Sequence, residues 1–201
     1  IVMNAGVQCV GPIERVPVAE VRKAFEVNVF GLLSLVQRLM PLLRERPGGR
    51  VVAIGSLASI FAPPLYGPYA ATKSALDALV GSLRAELAPS DISVSLIQPG
   101  SFRSQIATKQ LDQLNPYLRD AAYGPRARGL NALVARAAPR LPDAGWATRA
   151  VVHAVEASRP RAKYLVGWDA WAMWVVVHLV PQRLIDWVGT RVLEIAAAYF
   201  C

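Results

Sequence analysis

Apolar residues follow two kinds of spacing along the chain, and the two alternate. From residue 18 to about residue 46 they recur every three to four positions, which predicts one long helix with an apolar face. Short continuous apolar runs, each bounded by glycine, proline or polar residues, are typical of strands buried in a parallel sheet. Such strands are predicted at residues 1–4, 50–56, 92–98 and 163–167, and further helices at 68–87 and 146–157. Strands that alternate with helices predict an α/β fold, with a parallel sheet and flanking helices joined by right-handed crossovers.

Between residues 101 and 142 the regular spacing is lost. The breaks coincide with residues that end or interrupt helices, namely Pro116, Gly124, Pro125, Gly129, Pro139 and Pro142. This composition predicts short helical pieces rather than a long helix.

Residues 168–201 form an apolar tail that is rich in tryptophan. Its main apolar run, residues 170–180, has 11 residues, whereas a helix that spans a bilayer needs about 20. We therefore expect the tail to be buried or to cover an oligomer surface, with peripheral membrane contact through its tryptophans as the alternative. The predicted organisation is one domain over residues 1–167, followed by this tail.

Composition limits the classes of function. With 201 residues, of which 54% are hydrophobic, the chain is expected to form one domain with an ample core. The net charge of +8 would permit contact with anionic lipid, but the arginines lack the aromatic interleaving of a nucleic-acid reader, so no nucleic-acid partner is expected. Cys9, Cys201, His153 and His178 lack further metal ligands at suitable spacing. We expect a reducing, cytoplasmic location and no metal site.

Three polar residues, Ser56, Tyr69 and Lys73, are arranged as an acid/base site would be. Tyr69 and Lys73 are four residues apart on a predicted helix, so they share a face. A phenol titrates near pH ~10, and an adjacent ammonium is expected to lower the pKa of Tyr69 towards the range where proton transfer is efficient. Ser56 ends a predicted strand, where its hydroxyl can stabilise charge on a substrate oxygen. The arrangement suits interconversion of an alcohol and a ketone, and the absence of Gly-x-Ser-x-Gly around Ser56 counts against a serine hydrolase.

The spacing Ser-x12-Tyr-x3-Lys resembles the signature of the short-chain dehydrogenases/reductases and is matched without a gap. Other landmarks of that family occur in the expected order, and the resemblance extends to about residue 168. Met3-Asn4-Ala5-Gly6 is similar to the Asn-Asn-Ala-Gly turn, Asn28 to the asparagine within a helix, and Pro99-Gly100 to the loop that meets the nicotinamide. The tail and residues 99–103 are similar to those of steroid and retinol dehydrogenases.

The resemblance implies a Rossmann-like fold and a catalytic role for four residues. Tyr69 would be the general acid/base, and Lys73 would lower its pKa and hold the nicotinamide ribose. Ser56 would orient the substrate carbonyl. Asn28 would anchor a water that links Lys73 to solvent.

The resemblance also implies where NAD or NADP would bind. The implied cofactor-binding residues are Asn4, Ala5, Gly6, Tyr69, Lys73, Pro99, Gly100 and Ser104. Met3 departs from the first asparagine of the turn, and Ser104 replaces a threonine while keeping the hydroxyl. The glycine-rich fingerprint of a dinucleotide-binding unit does not occur in the sequence, so about two to three βα units are expected to lie upstream. We therefore expect this stretch alone to be inactive.

As a whole, the resemblance implies an oxidoreductase that interconverts a carbonyl and a secondary alcohol. It further implies a lipophilic substrate, a homodimer or homotetramer, and a substrate lid at about residues 101–142. Two alternatives stay open. A sugar-nucleotide epimerase or dehydratase of the extended branch shares Tyr-x-x-x-Lys, although its Ser/Thr-to-Tyr interval is usually longer, and a non-catalytic membrane-surface or scaffold protein could retain the fold.

Overall fold

The computed structural model describes residues 1–45, 47–104 and 112–200. The predicted helix end at Arg46, residues 105–111 of the predicted lid, and Cys201 lie outside the described residues. In the described part, four parallel strands form one sheet in the order β1-β2-β3-β4. The predicted α/β fold with a parallel sheet is therefore confirmed. The strands are β1 (Val2–Met3), β2 (Gly49–Ile54), β3 (Ile92–Pro99) and β4 (Lys163–Val166).

Helices connect the strands and continue beyond the last of them. They are α1 (Val18–Phe25), α2 (Gly31–Arg44), α3 (Gly67–Glu86), α4 (Gly124–Ala137), α5 (Gly145–Glu156), α6 (Trp168–Leu179) and α7 (Gln182–Phe200). A π-helical turn, Glu26–Phe30, joins α1 to α2 without a break. The sequence predicted one continuous helix here but did not predict the π-helical turn. Hydrophobic spacing alone does not distinguish a single π-helical turn from an α-helix.

The sheet has an apolar layer on each of its two faces, because successive residues of β2 point to opposite faces. Val51 and Ala53 belong to the layer that packs against α2 and α3, which contribute Leu32 and Leu76. On the other face, Val52 packs with Ile97, Tyr164, Val166 and Ala154 of α5. All three β2 residues are fully buried, which accounts for the continuous apolar run in the sequence.

The helical stretch Val18–Arg44 has 27 residues and contains a window of mean hydropathy 1.2. Among the described residues, it is the one helix long and apolar enough to cross a membrane by those criteria. Leu32 and Val36 of this stretch lie in the core beside the sheet, and 22% of the window is buried. A single helix of this kind is weak evidence for a membrane span, because core helices of soluble proteins meet the same criteria.

Helix α4 corrects one prediction for the lid region. Pro125 and Gly129 were expected to break helical stretches, yet both belong to this 14-residue helix. Pro125 lies in the first turn, where backbone N–H groups have no partner within the helix, so the missing N–H of proline costs no hydrogen bond. A Cβ at Gly129 would overlap the carbonyl oxygen of Leu193 in α7, so the glycine allows two helix backbones to touch. Tertiary packing has outweighed the low helix propensity of glycine.

The tail consists of α6 and α7, separated at Pro181. Leu193 joins a core cluster with Val10, Leu65, Leu114, Ala127 and Leu130. Other residues of the tail are exposed, with Trp168 at 74% and Trp187 at 59%. The domain boundary at residues 167/168 stays a prediction, and α4 and α7 pack across it.

Candidate active site

The candidate site lies at the carboxyl ends of the strands, the edge where open α/β sheets bind ligands. Ser56 follows β2 by two residues and caps the short 3₁₀ turn Leu57–Ser59, with its Oγ accepting from the N–H of Ala58 at 3.1 Å. Tyr69 lies in the first turn of α3, and β3 ends at Pro99. The backbone of Gly55 donates to the carbonyl of Ile97 at 2.7 Å, so the ends of β2 and β3 are held side by side.

Burial raises the pKa of the Tyr69 phenol, and the side chain of Ser56, a hydrogen-bonding group for the phenol, opposes that rise. The sequence led us to expect a lowered pKa for Tyr69, and this expectation is wrong. The helical spacing correctly predicted that Lys73 lies near Tyr69, but desolvation has the larger effect on the phenol.

Lys73 is deeply buried, with 4% of its surface exposed. Its Nζ lies 5.9 Å from the centre of the Tyr69 ring and donates to the carbonyl oxygen of Ile54 at 2.9 Å. Burial lowers the pKa of the Lys73 ammonium from 10.5 to about 8. The ammonium is therefore mainly charged at neutral pH and close to its titration range.

Asn28 is fully buried in the π-helical turn. Its amide pairs with the backbone of Val7, accepting from the N–H and donating to the carbonyl at 2.8 Å each. The same Nδ2 donates to Oγ1 of Thr72 at 2.9 Å, and Thr72 in turn donates to the carbonyl of Tyr69 at 2.8 Å. The asparagine thus links the loop after β1 to the helix that carries Tyr69 and Lys73.

The residues expected to hold a cofactor lie along the same edge. Asn4, Ala5 and Gly6 are exposed directly after β1. A Cβ at Gly6 would lie 3.5 Å from Oδ1 of Asn28 and 3.6 Å from Nζ of Lys73. The absence of a side chain at Gly6 therefore leaves space next to the ammonium.

The loop after β3 contains the remaining expected cofactor-binding positions. Pro99 ends the strand, and the N–H of Gly100 donates to the carbonyl of Val166 in β4 at 2.8 Å. Ser104 is exposed and precedes residues 105–111, which lie outside the described residues.

Sequence reasoning missed two buried polar residues that support this site. Thr72 is fully buried. Its position three residues after Tyr69 was the sequence feature that could have identified it as a supporting residue. Gln98 is 2% exposed and donates to Oγ of Ser59 at 2.9 Å, and Ser59 donates to the carbonyl of Ser56 at 2.7 Å. A glutamine within an apolar strand was the signal for the second. Both residues hold the chain segments that position Ser56 and Tyr69.

The two histidines have structural contacts. Nδ1 of His153 is 2.8 Å from the hydroxyl of Tyr164, and Nδ1 of His178 is 2.7 Å from the carbonyl of Trp174. Within the described part of the chain, no group of three or more His, Cys, Asp or Glu residues could hold a metal ion.

Comparison with known proteins connects this geometry to a family. The family model described as short chain dehydrogenase matches residues 1–115. The chain is 34% identical over 194 residues to an NADPH-dependent 3-dehydrocapnine reductase of Ornithobacterium rhinotracheale, covering 92% of this chain and 67% of that protein. It is 31% identical over 207 residues to retinol dehydrogenase 5 of Mus musculus, covering 96% and 64% respectively.

A solved structure agrees. A short-chain dehydrogenase from Streptomyces avermitilis superposes with a TM-score of 0.68 at 27% identity, covering 94% of this chain and 68% of that one. The chain spans about two thirds of the length of these relatives. By its matched family model and its relatives, the chain belongs to the short-chain dehydrogenase/reductase family.

Proposed function

We propose that the complete protein is an NAD- or NADP-dependent oxidoreductase that interconverts a carbonyl compound and a secondary alcohol. The observation that carries the proposal is the clustering of Ser56, Tyr69 and Lys73 at the carboxyl edge of the sheet. The relative named as an NADPH-dependent reductase supports the cofactor class.

Tyr69 is the proton donor in the reducing direction. Its raised pKa keeps the phenol protonated at neutral pH, so it can donate to the carbonyl oxygen as that oxygen gains charge. The hydroxyl of Ser56 orients the same oxygen. The ammonium of Lys73 stabilises the phenolate that remains. In the oxidising direction Tyr69 takes the proton back.

The cofactor supplies or accepts the hydride, and the chain's residues fit its nicotinamide half. Of the three N–H donors of Lys73, the structure shows one bonded to Ile54, so the others can serve ribose hydroxyls beside the bare backbone of Gly6. Asn28 keeps this helix in place and anchors a water that links Lys73 to solvent. The remaining proposed contacts come from Asn4, Ala5, Pro99, Gly100 and Ser104.

A lipophilic substrate, a homo-oligomer and a cytoplasmic location with peripheral membrane contact complete the proposal. The first is supported by the relative named as a retinol dehydrogenase. Exposed apolar side chains support contact with another surface, and Trp168, Trp171 and Trp187 on α6 and α7 are examples. Residues 101–142 would form the substrate lid, next to which α7 packs.

The test replaces Tyr69 by Phe in the complete protein. Turnover of ketones with NADH or NADPH should fall roughly 10²–10⁴-fold, because the general acid is lost, whereas cofactor binding measured by fluorescence titration should remain. Tyr199→Phe, at a tyrosine that is 79% exposed in α7, is the matched control and should be silent. Retained turnover in Tyr69→Phe would reject the proposal.

A further inference from the structure

We infer that Asp169 positions the loop Pro99–Ser101 (the cofactor loop) for the nicotinamide end of the cofactor, an inference that rests on the proposed function. Asp169 is the second residue of α6 and belongs to the tryptophan-rich tail. It therefore gives that tail a role at the candidate active site.

The cofactor loop is held by two consecutive backbone N–H groups. Gly100 donates to the carbonyl of Val166, at the end of β4, at 2.8 Å. Ser101 donates to Oδ2 of Asp169 at 2.6 Å. A short hydrogen bond to a carboxylate is stronger than one between neutral groups, so Asp169 fixes the place where the loop leaves β3.

Two glycines make room for this carboxylate. A Cβ at Gly100 would overlap the Asp169 carboxyl group, and one at Gly167 would lie 2.5 Å from its Oδ1. Gly167 also has a φ of 105°, a conformation that other residues rarely adopt. The close approach of loop and carboxylate therefore depends on both positions being glycine.

The residues that follow are anchored as well. Phe102 packs against the apolar layer formed by β3, β4 and α5. The N–H of Arg103 donates to the carbonyl of Pro142 at 2.9 Å. Anchored on this side by β4, α5 and α6, the loop has a fixed path past the carboxyl edge of the sheet, where Lys73 and Tyr69 lie.

The test compares two ligands that differ only in the nicotinamide. In the complete protein carrying Asp169→Ala, the affinity for NAD⁺ or NADP⁺, whichever the wild type binds, should fall about tenfold or more, since a charge-assisted bond is lost. The affinity for ADP-ribose, or its 2′-phosphate in the NADP case, should stay within about twofold because this ligand does not reach the loop. Calorimetric titration measures both.

Two further variants separate positioning from folding. Asp169→Asn retains an acceptor for the Ser101 N–H and should keep dinucleotide affinity within about threefold. Asp186→Ala removes a tail carboxylate that accepts from Gln182 one turn away and should change neither affinity. Equal losses for both ligands in Asp169→Ala, or no loss for either, would overturn the inference. A wild-type protein that binds neither dinucleotide would overturn the proposed function itself.

Discussion

Replacing Lys73 by Met should alter how the protein's stability depends on pH. The ammonium is 4% exposed, and burial lowers its pKa from 10.5 to about 8. The difference between these values corresponds to roughly 3 kcal/mol by which the folded protein disfavours the charged form of Lys73 relative to the neutral amine. Methionine is close in length and carries no charge, so the variant does not bear this cost.

The sign follows from proton uptake. Between pH 8 and 10.5 the unfolded chain keeps the Lys73 proton while the folded chain loses it, so the free energy of unfolding of the wild type rises with pH. Below pH 8 both states are protonated, and the contribution of Lys73 is constant. The stability of the wild type relative to Lys73→Met should therefore increase by roughly 2 kcal/mol from pH 7 to pH 9.5.

Urea unfolding of both proteins across this pH range measures that increase. Loss of the hydrogen bond to Ile54 shifts the variant's stability by a constant amount below pH 8, so the pH dependence is the informative quantity. Lys163→Met, at a lysine with 46% of its side chain exposed, controls for the general effect of removing a lysine. A stability difference between wild type and Lys73→Met that stays flat or falls with pH would refute the reasoning.

Two more substitutions test the packing and the polar network. Gly129→Ala should lower the free energy of unfolding by about 3 kcal/mol in urea, because the new Cβ would overlap the Leu193 carbonyl. Gly81→Ala, in α3 with nothing within 4 Å of its added Cβ, should instead raise it by up to ~1 kcal/mol, and similar behaviour of the two variants would contradict the α4–α7 contact. Asn28→Asp should cost about 2–3 kcal/mol at pH 7, because a carboxylate would face the Val7 carbonyl. That loss should shrink in acid, where the protonated carboxyl can donate, and a pH-independent loss would argue against the pairing.

The sheet could be predicted from sequence because its strands are short apolar runs with clear ends. The strand predicted at residues 50–56 is observed at Gly49–Ile54, and the one predicted at 92–98 is observed at Ile92–Pro99. Helix α3 differs from its prediction by one residue at each end. Local hydrophobic pattern and turn residues decide these elements, and both can be read from the chain.

What the sequence could not give depends on contacts between distant residues. The pairing of Asn28 with the Val7 backbone relies on the π-helical turn, which no local sequence pattern predicts. The contact between Asp169 and Ser101 joins residues that are 68 positions apart. The spacing of Tyr69 and Lys73 predicted that they are neighbours, but a pKa depends on the burial that the whole fold creates.

That burial gives the proposed proton transfer a source of driving force. Before transfer, Tyr69 is neutral and the Lys73 ammonium is a buried charge, which desolvation disfavours, as its lowered pKa shows. When Tyr69 gives its proton to the substrate oxygen, the phenolate forms next to that ammonium, and the two opposite charges stabilise each other in a poorly solvated site. The free-energy cost of burying the Lys73 charge is therefore partly relieved when Tyr69 transfers its proton. The stability of Lys73→Met relative to the wild type should therefore be higher near neutral pH than in alkali. The same substitution should impair turnover.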